Sequence, residues 1–329
     1  MLMKAAVLHG IGDIRYEKAD SPAAADGEEV ICVACAGICG SDVDRVYGKG
    51  AYHYPIILGH EFSGYRQRDG KKAVVFPLIP CMKCPMCQIG EYAGCENYDY
   101  YGSRRDGGFA ETIAVKAWNV IEAPDGADME ALAMTEPAAV ALHAVSKLDI
   151  RQGQNVLITG AGPIGALLGQ WAKLSGADKV FFIDLDQRKL DFLEERGFRA
   201  YHGEAVDAAV EGTGASAPLA ACLEAAAPGG TVVLMGNPSG DVKLTQKEYW
   251  HILRKQLRLK GTWNSSFNSF RDEWRVSVSA ISSGRLDVKS LISHRFPLVK
   301  CKEAFEVLHK REQFVNKVMF TIEQESRPR

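Results

Sequence analysis

Short apolar and β-branched runs bounded by glycine, aspartate and proline recur in the first part of the chain. Met3 to Leu8, Glu29 to Ala34 and Ala73 to Pro77 have this pattern, which predicts the strands of a small β-rich domain. The turn-rich segment from Ser21 to Gly27 separates the first two runs. A further strand is predicted from Phe109 to Val115.

The pattern becomes helical from Met129, where MEALAMTEPAAVALHAV is rich in alanine. We expect Pro137 to break this helix after Glu136, because proline lacks a backbone donor. Glu136 is a lone carboxylate in an apolar stretch, and burying it without a metal or cationic partner is costly. The alternative is an exposed position on the helix surface.

The segment NVLITGAGPIGALLGQWAKLSGADKVFFIDLD, from Asn155, predicts a strand, a glycine-rich turn, a helix and a second strand. Gly160, Gly162 and Gly165 form G-x-G-x-x-G, which lets a pyrophosphate approach the backbone at a helix N-terminus. Asp184 closes the second strand, where a carboxylate binds the ribose 2′-OH and repels the 2′-phosphate of NADP. This pattern predicts a Rossmann-type NAD site. Its other predicted members are Pro163, Ile164 and Lys189.

Two more apolar runs, Thr231 to Met235 and Leu257 to Gly261, are predicted to be strands of the same sheet. Loops after strand C-termini bind ligands in such sheets. We therefore expect nicotinamide contacts from Met235, Gly236, Asn237, Thr262, Trp263 and Asn264. The remaining sequence predicts helices over Phe270–Leu286 and Cys301–Lys310, a closing strand in VNKVMFTI and a frayed terminal segment ESRPR.

Metal-type ligands are concentrated between Cys39 and Gly64. Ser41 follows the cysteine, and His60 and Glu61 stand side by side between glycines. Thiolate, imidazole and carboxylate suit Zn²⁺, and three protein ligands with an open position are typical of catalytic zinc. The alternative is that the cysteine and histidine are ordinary core residues, since free cysteine is often buried and unreactive.

A second cysteine group, CMKCPMCQIGEYAGC, has C-x2-C-x2-C-x7-C spacing on a loop rich in proline and glycine. Four thiolates so close in sequence predict a tetrahedral structural zinc site. An iron–sulfur cluster is the main rival, because ferredoxins use a similar spacing before a fourth, nearer cysteine. Disulfides, or no function, are the remaining alternatives. The four residues are Cys81, Cys84, Cys87 and Cys95.

Three arginines lie near these ligands in sequence. Arg104 and Arg105 precede an Asp-Gly-Gly turn, and Arg45 lies six residues after Cys39. Arginines on a turn usually belong to a solvated surface. The guanidinium fork also binds phosphate or carboxylate bidentately, so an anion-binding role for the three arginines is the sharper hypothesis.

Composition narrows the class of protein. The 329 residues are enough for two domains, and 47% hydrophobic and 24% charged residues are ordinary for a globular protein. A net charge of −2 gives no reason to expect nucleic acid or a membrane surface as partner. The N-terminal MLMKAAVLHG does not have the pattern of a signal peptide, and no run of 18 apolar residues occurs. Nine cysteines without a secretion signal indicate thiols and metal ligands, so we expect a cytoplasmic protein.

In combination, CGSD, GHEFSG, the cysteine quartet and GAGPIG with Asp184 resemble the zinc-containing medium-chain alcohol dehydrogenases. Glu136-Pro137 and the Val-Ala-Leu-His that follows resemble the polyol branch, which includes sorbitol and threonine dehydrogenases. The segments YPIILGHEFSGY, GSRRDGGFAE and ILRKQLRLKGTWN are similar to the galactitol-1-phosphate dehydrogenases. The resemblance covers nearly the whole chain.

This resemblance implies an α/β fold with two domains. Residues 1–145 and 266–329 would form a GroES-like β-barrel catalytic domain, and residues 146–265 a Rossmann domain with a doubly wound parallel sheet. Homodimers or homotetramers that pair through the Rossmann sheet are implied as well. Two segments depart from the family pattern: the chain is shorter after Gly64, and it lacks a helix between Ala200 and Gly212.

The resemblance also implies two zinc ions per chain, one catalytic and one structural. Cys39, His60 and Glu136 match the catalytic ligands, with Glu61 as an alternating or water-mediated partner. Ser41 matches the hydroxyl that starts the proton relay. Many relatives have a relay histidine where this chain has Asp44, so the route by which the proton leaves is open.

The implied activity is zinc-dependent, NAD-linked oxidation of a secondary alcohol of a polyol or polyol phosphate to the ketose. In sorbitol dehydrogenases the position of Arg45 carries a tyrosine that faces the substrate, and Asn264 matches a substrate-side arginine. Relative to sorbitol dehydrogenases, this chain has a cation at Arg45 in place of a neutral hydroxyl and a neutral amide at Asn264 in place of a cation. A cation at position 45 favours a phosphorylated hexitol. Three alternatives remain: an unphosphorylated substrate, a zinc-free quinone-reductase-like relative, which would lack Cys39 and His60, and an NAD-binding zinc protein without turnover.

Overall fold

Ten of the eighteen β-strands within the described residues lie before Ala123. In this computed structural model residues 2–323 are described, so the terminal ESRPR segment lies outside the described residues. In chain order the strands are β1 (Leu2–Gly10), β2 (Asp13–Asp20), β3 (Glu28–Gly37), β4 (Ile56–Ile57), β5 (Glu61–Arg66), β6 (Lys72–Val75), β7 (Leu78–Ile79), β8 (Asp99–Tyr100), β9 (Thr112–Lys116), β10 (Val120–Glu122), β11 (Asn155–Thr159), β12 (Lys179–Ile183), β13 (Arg199–Ala200), β14 (Val206–Glu211), β15 (Ala226–Leu234), β16 (Arg258–Gly261), β17 (Ile292–Pro297) and β18 (Lys317–Thr321).

The helices are concentrated in the second half. They are α1 (Gly40–Tyr47), α2 (Pro85–Gln88), α3 (Met129–Ala133), α4 (Thr135–Ser146), α5 (Pro163–Leu174), α6 (Gln187–Glu194), α7 (Ser216–Ala225), α8 (Gln246–Arg254), α9 (Glu273–Ser282) and α10 (Cys301–Lys310). Within residues 2–323, none of them is long and apolar enough to cross a membrane.

The chain forms two compact units. One combines the residues up to Glu136 with those from Ser266 onward, and the other is Pro137–Ser265. In the first unit a seven-stranded sheet has the order β10-β6-β5-β3-β18-β17, with β9 also paired to β3. The last strand, β18, runs antiparallel to β3. The C-terminal part of the chain therefore completes a sheet that the N-terminal part begins.

Apolar residues of both sequence segments fill the core of the first unit. Phe109 packs edge-to-face on Phe320, with ring centroids 5.0 Å apart. Phe305 of α10 joins them and is fully buried. The strands predicted at Met3–Leu8 and Glu29–Ala34 are confirmed and extend by one to three residues at each end.

The helical segment after Met129 contains one correction. Proline was expected to end a helix at Glu136, but α3 ends before Met134 and α4 then runs through Pro137. Pro137 lies in the first turn of α4, where a backbone N–H has no intrahelical acceptor. Proline is therefore tolerated there, and the break falls three residues earlier.

The second unit is a six-stranded parallel sheet in the order β13-β12-β11-β14-β15-β16. Numbered from its first strand, this is the 3-2-1-4-5-6 order of doubly wound nucleotide-binding folds. The link from β13 to β14, residues 201–205, contains no helix, as expected from the sequence. All the C-terminal strand ends lie along one edge of this sheet, which is where such folds bind ligands.

Candidate metal centres and coenzyme site

Strand pairing brings together the predicted metal ligands Cys39, His60 and Glu61. Gly37 at the end of β3 pairs with Glu61 at the start of β5. Cys39 follows β3 by two residues and His60 directly precedes β5, so their side chains converge at one end of the sheet. One ligand atom from each of Cys39, His60 and Glu61 lies within 4.8 Å of the others. A Cβ on Gly37 would collide with Glu61 Oε2, so only glycine leaves room for this carboxylate.

Helix α1 orients the cysteine. Cys39 is its N-cap, and its backbone N–H donates to Asp42 Oδ2 at 3.1 Å. A helix N-terminus favours an anionic group such as a thiolate ligand. Asp42 is fully buried, and its Oδ1 lies 3.5 Å from His60 Nδ1. A carboxylate beside Nδ1 orients the imidazole and leaves Nε2 as the nitrogen for a metal.

Buried charges change the protonation of this group. Burial alone would lower the pKa of His60, but the charges of Asp42 and Cys39 outweigh it and raise the pKa well above its ordinary value. Burial raises the pKa of Glu136 to about 7. The Tyr100 hydroxyl donates to Glu136 Oε1 at 3.4 Å, and its ring packs edge-on against His60 at 5.7 Å. Glu136 is thus part of the same buried polar cluster, although it is not one of the three residues within 4.8 Å of one another.

Lys317 is a member of the cluster that the sequence analysis missed. Its Nζ lies 2.6 Å from Glu61 Oε2 and donates to the Ile38 carbonyl at 3.2 Å, with both ion-pair partners buried. Burial would lower the pKa of Lys317, but the Glu61 carboxylate raises it. The available signal was a single lysine inside the apolar strand segment VNKVMFTI, because a buried charge needs a partner.

The chemistry of these donors fits a zinc ion. A thiolate, an imidazole and carboxylates match the mixed ligand sets of zinc, and the cluster is mostly buried. Three ligands also leave a coordination position for a substrate oxygen.

The cysteine quartet closes on itself. The four Sγ atoms of Cys81, Cys84, Cys87 and Cys95 lie within 4.8 Å of one another, and Cys81 and Cys87 Sγ are 3.9 Å apart. Tetrahedral zinc with bonds of about 2.3 Å has S···S distances of about 3.8 Å. The spacing therefore fits one metal ion better than an iron–sulfur cluster, whose outer thiolates are separated by several iron atoms.

Backbone N–H groups near the cysteine quartet also favour metal binding. The N–H groups of Glu96 and Cys87 lower the pKa of the Cys84 thiol to about 6, which favours a thiolate there, whereas burial raises the pKa of the neighbouring Cys87 thiol to about 12. None of the nine cysteines forms a disulfide. The disulfide alternative is therefore wrong.

The glycine-rich turn lies between β11 and α5. A Cβ on Gly165 would collide with the Gly160 carbonyl, so the third glycine is needed for the close approach of helix and strand. Asp184 Oδ2 accepts from the Ala161 N–H at 2.6 Å and its Oδ1 accepts from the Asp186 N–H at 2.9 Å. The carboxylate thus lies at the glycine-rich turn itself. Gly162, Pro163 and Ile164 form the start of α5, and Lys189 is partly exposed on α6.

The C-terminal ends of β15 and β16 lie at the same edge of the sheet as the glycine-rich turn. The N–H groups of Met235 and Gly236 both donate to the Glu211 carbonyl at 2.9 Å, and the Thr262 N–H donates to the Leu234 carbonyl at 3.1 Å. Asn237 follows Gly236, and Trp263 and Asn264 follow Thr262. The sequence analysis missed the loop after β14, where the Glu211 carboxylate accepts from the Thr213 and Gly214 N–H groups at 2.7 and 2.9 Å. The glycines in EGTG were the available signal.

Each of the three arginines has a different environment. Arg45 NH1 lies 3.6 Å from the buried Asp42 Oδ1. Arg105 Nε lies 2.6 Å from Asp99 Oδ2. Arg104 lies over the rings of Tyr98 and Tyr52, with its Cζ 4.3 and 5.1 Å from the centroids.

A thiolate–imidazole–carboxylate metal site, a closed cysteine quartet and a doubly wound nucleotide-binding sheet in one chain define a zinc-dependent dehydrogenase. Residues 25–125 match the alcohol dehydrogenase GroES-like domain, and residues 163–283 match the zinc-binding dehydrogenase model. The chain belongs to the zinc-binding alcohol and polyol dehydrogenase family, and is an oxidoreductase. The expected combination of a GroES-like domain with a Rossmann-type sheet is confirmed, and the zinc-free alternative is wrong.

Relatives within the family include polyol enzymes. Galactitol 1-phosphate 5-dehydrogenase of Escherichia coli K12 is 35% identical over 320 residues, 89% of this chain and 92% of the relative. Sorbitol dehydrogenase of Bombyx mori is 30% identical over 337 residues, 92% of this chain and 94% of the relative. The crystal structure of galactitol-1-phosphate dehydrogenase from Escherichia coli has a TM-score of 0.91 at 33% identity, and covers 97% of this chain and 100% of that one.

Proposed function

We propose that this enzyme oxidises a secondary alcohol of a hexitol phosphate to the ketose, with NAD as hydride acceptor. The observation that carries the proposal is the open ligand group of Cys39, His60 and Glu61, which leaves a coordination position for a substrate oxygen. The 35% identity with a galactitol 1-phosphate 5-dehydrogenase supports a phosphorylated substrate. The unpaired thiols of all nine cysteines suit a cytoplasmic protein.

Cys39 and His60 would hold the catalytic ion, with Glu61 or Glu136 as the third ligand and Lys317 pairing with the Glu61 carboxylate. A second ion in the cysteine quartet would brace its loop. Zinc in the open site supplies Lewis acidity, which lowers the pKa of an alcohol. The nicotinamide ring accepts the hydride.

Two residues of α1 would carry the proton outward. Ser41 is exposed on the first turn of the helix, two residues after Cys39. Asp44 is also exposed and lies three residues further on, and residues at this spacing share a helix face. Asp44 would therefore accept the proton from Ser41 and pass it to solvent, in the place of the histidine that many relatives use.

The direct test is a substrate screen with purified enzyme, NAD⁺ and detection of NADH absorbance. Galactitol, sorbitol and their monophosphates are compared by kcat/KM, with threonine as a further substrate. The proposal requires the monophosphates to be the better substrates. Higher kcat/KM for free sorbitol would instead support a sorbitol-type enzyme, which the 30% identity with Bombyx mori sorbitol dehydrogenase makes the second candidate. Binding of NADH without oxidation of any polyol would indicate a zinc protein without turnover.

Asp184 is expected to make the enzyme prefer NAD over NADP. Its carboxylate would bind the ribose hydroxyls and repel a 2′-phosphate. Asp184→Asn keeps the size of the side chain and an acceptor for the Ala161 N–H, but removes the charge and the acceptor for the Asp186 N–H. We expect kcat/KM for NAD to fall about tenfold or more, since hydrogen bonds to charged groups contribute roughly 1.5–3 kcal/mol, and the discrimination against NADP to narrow. Equal kcat/KM for both coenzymes in the unmodified enzyme would contradict this assignment.

The free edge of the Rossmann-type sheet would be the subunit interface of a homodimer, from which a homotetramer could assemble. In residues 2–323, β16 is the last strand of this sheet, and its Leu259 is 40% exposed. Tyr249, Trp250 and Leu253 of α8 are also exposed. An unpaired edge strand is a template for pairing with a second chain, and a two-fold axis would pair β16 with its own copy.

Leu259→Lys is expected to convert the dimer to monomers, because it would bury two unpaired charges in the interface. Size-exclusion chromatography with light scattering measures the change. Leu174→Lys, at a leucine of similar exposure on α5, is the matched control and is expected to leave the assembly intact. An unchanged mass for Leu259→Lys would show that β16 is not the interface.

A further inference from the structure

The three arginines near the metal ligands are not equivalent. Arg105 forms a 2.6 Å ion pair with Asp99, so its charge is already balanced. Arg45 lies beside Asp42, the carboxylate next to His60, and its side chain is only 19% exposed. Arg104 is exposed, and its Nη1 donates a hydrogen bond to the Tyr98 carbonyl at 3.0 Å. No carboxylate within residues 2–323 forms an ion pair with Arg104.

Aromatic rings and a backbone contact fix the position of Arg104. Its Cζ lies 4.3 Å from the centroid of Tyr98 and 5.1 Å from that of Tyr52. His53 Nε2 lies 3.2 Å from the Arg104 carbonyl, which ties its backbone to the loop that carries Tyr52. Rings attract the face of a guanidinium and leave its N–H edge free. A guanidinium has five N–H donors, and four remain here beyond the one given to Tyr98.

A series of ring contacts leads from Arg104 to the metal ligands. Tyr98 packs edge-on against Tyr100 with centroids 6.3 Å apart, and Tyr100 packs in the same way on His60 at 5.7 Å. The Tyr100 hydroxyl reaches Glu136. Two tyrosine rings, those of Tyr98 and Tyr100, therefore connect Arg104 with the metal ligand His60.

We propose that Arg104, held by Tyr52 and Tyr98, binds the phosphate of the substrate, and that Arg105 does not. This inference rests on the proposed function, because it assigns the phosphate-binding position within the same site. An unpaired guanidinium edge binds a phosphate dianion through two parallel hydrogen bonds. Arg105 instead stabilises its own loop through Asp99. Arg45 is largely buried 3.6 Å from the Asp42 carboxylate, without a hydrogen bond to it. The phosphate position thereby sets which carbon of the polyol reaches the metal.

The test compares Arg104→Met with Arg105→Met in the full enzyme, using galactitol 1-phosphate and free galactitol as substrates. Arg104→Met should raise KM for the phosphate ester about ten- to a hundredfold, since a charge-assisted bidentate contact is lost. Its kcat and its kinetics with free galactitol should change little. Arg105→Met removes an equal charge one residue away and should affect both substrates alike. Inorganic phosphate should inhibit the unmodified enzyme competitively, and Arg104→Met more weakly.

Two further variants test the position of the guanidinium. Arg104→Lys should recover part of the affinity, because an ammonium keeps the charge but not the fork. Tyr52→Leu should raise KM for the phosphate ester alone. Tyr52 is exposed, so the variant should fold normally, which circular dichroism checks. Equal effects of Arg104→Met on both substrates, or a larger selective effect of Arg105→Met, would overturn the phosphate assignment while the proposed function stands. Preference of the unmodified enzyme for free galactitol would overturn both.

Discussion

Replacing Cys39 by serine is expected to abolish turnover while the fold survives. Cys39 supplies the one thiolate of the open ligand group, and serine keeps nearly the same volume at the N-cap of α1. Serine is also a good N-cap residue, so the helix should remain intact. Loss of the metal removes several kcal/mol of transition-state stabilisation, so kcat/KM should fall by about a thousandfold or more.

Elemental analysis separates this site from the cysteine quartet. Cys39→Ser should lose about one zinc ion per chain and keep its affinity for NADH, measured by fluorescence titration. Cys84→Ser is the contrasting variant: it should also lose about one ion, but with reduced solubility or assembly, because metal binding and local folding are coupled in a closed structural site. Retained turnover in Cys39→Ser would show that the open group is not the catalytic centre.

Lys317→Met is expected to destabilise the protein by about 3–5 kcal/mol, since it leaves a buried carboxylate without its partner. The Lys317–Glu61 pair is 2.6 Å long, and the two side chains are 5% and 1% exposed. Methionine has a similar length and fills the same space, so lost packing contributes little. Urea unfolding of the purified protein measures the free energy of unfolding.

A double-mutant cycle isolates the ion pair from other effects. In Lys317→Met with Glu61→Gln the buried charge is gone from both partners, so much of the stability lost in Lys317→Met should return. Zinc content and kcat/KM are measured on the same variants, because Lys317 also holds Glu61 beside the metal position. Destabilisation of less than about 1 kcal/mol by Lys317→Met would show that the pair does not stabilise the fold.

Patterns with a local physical cause were predicted from the sequence. The glycine-rich turn could be read because strand, turn and helix follow one another within a few residues. The helix from Cys301 to Lys310 was predicted with its observed bounds, because its apolar face repeats with helical spacing. The cysteine quartet was readable for the same reason, since all four ligands lie within 15 residues.

Elements without such a pattern were missed. Helices α1 and α8 were not predicted, because α1 is a short, polar segment and α8 has no fully buried residue. The break near Pro137 was expected at the wrong residue, since proline in a first helical turn looks the same in sequence as proline that ends a helix. Lys317 was not connected with the site, because 256 residues separate it from Glu61.

The sequence by itself determined the two ligand types, the nucleotide-binding turn and the family, since each depends on residue identities at fixed short spacings. Only the tertiary structure decided which side chains share an environment. Antiparallel pairing of β3 with β5 and β18 places Lys317 beside Glu61 and the Cys39 segment, although 256 residues separate Lys317 from Glu61. The tertiary structure also distinguishes two adjacent arginines. Arg105 forms an ion pair with Asp99, whereas within residues 2–323 the Arg104 side chain contacts aromatic rings and the Tyr98 carbonyl. The partner of a charged side chain depends on its position in space, so two residues that are adjacent in sequence can have different partners.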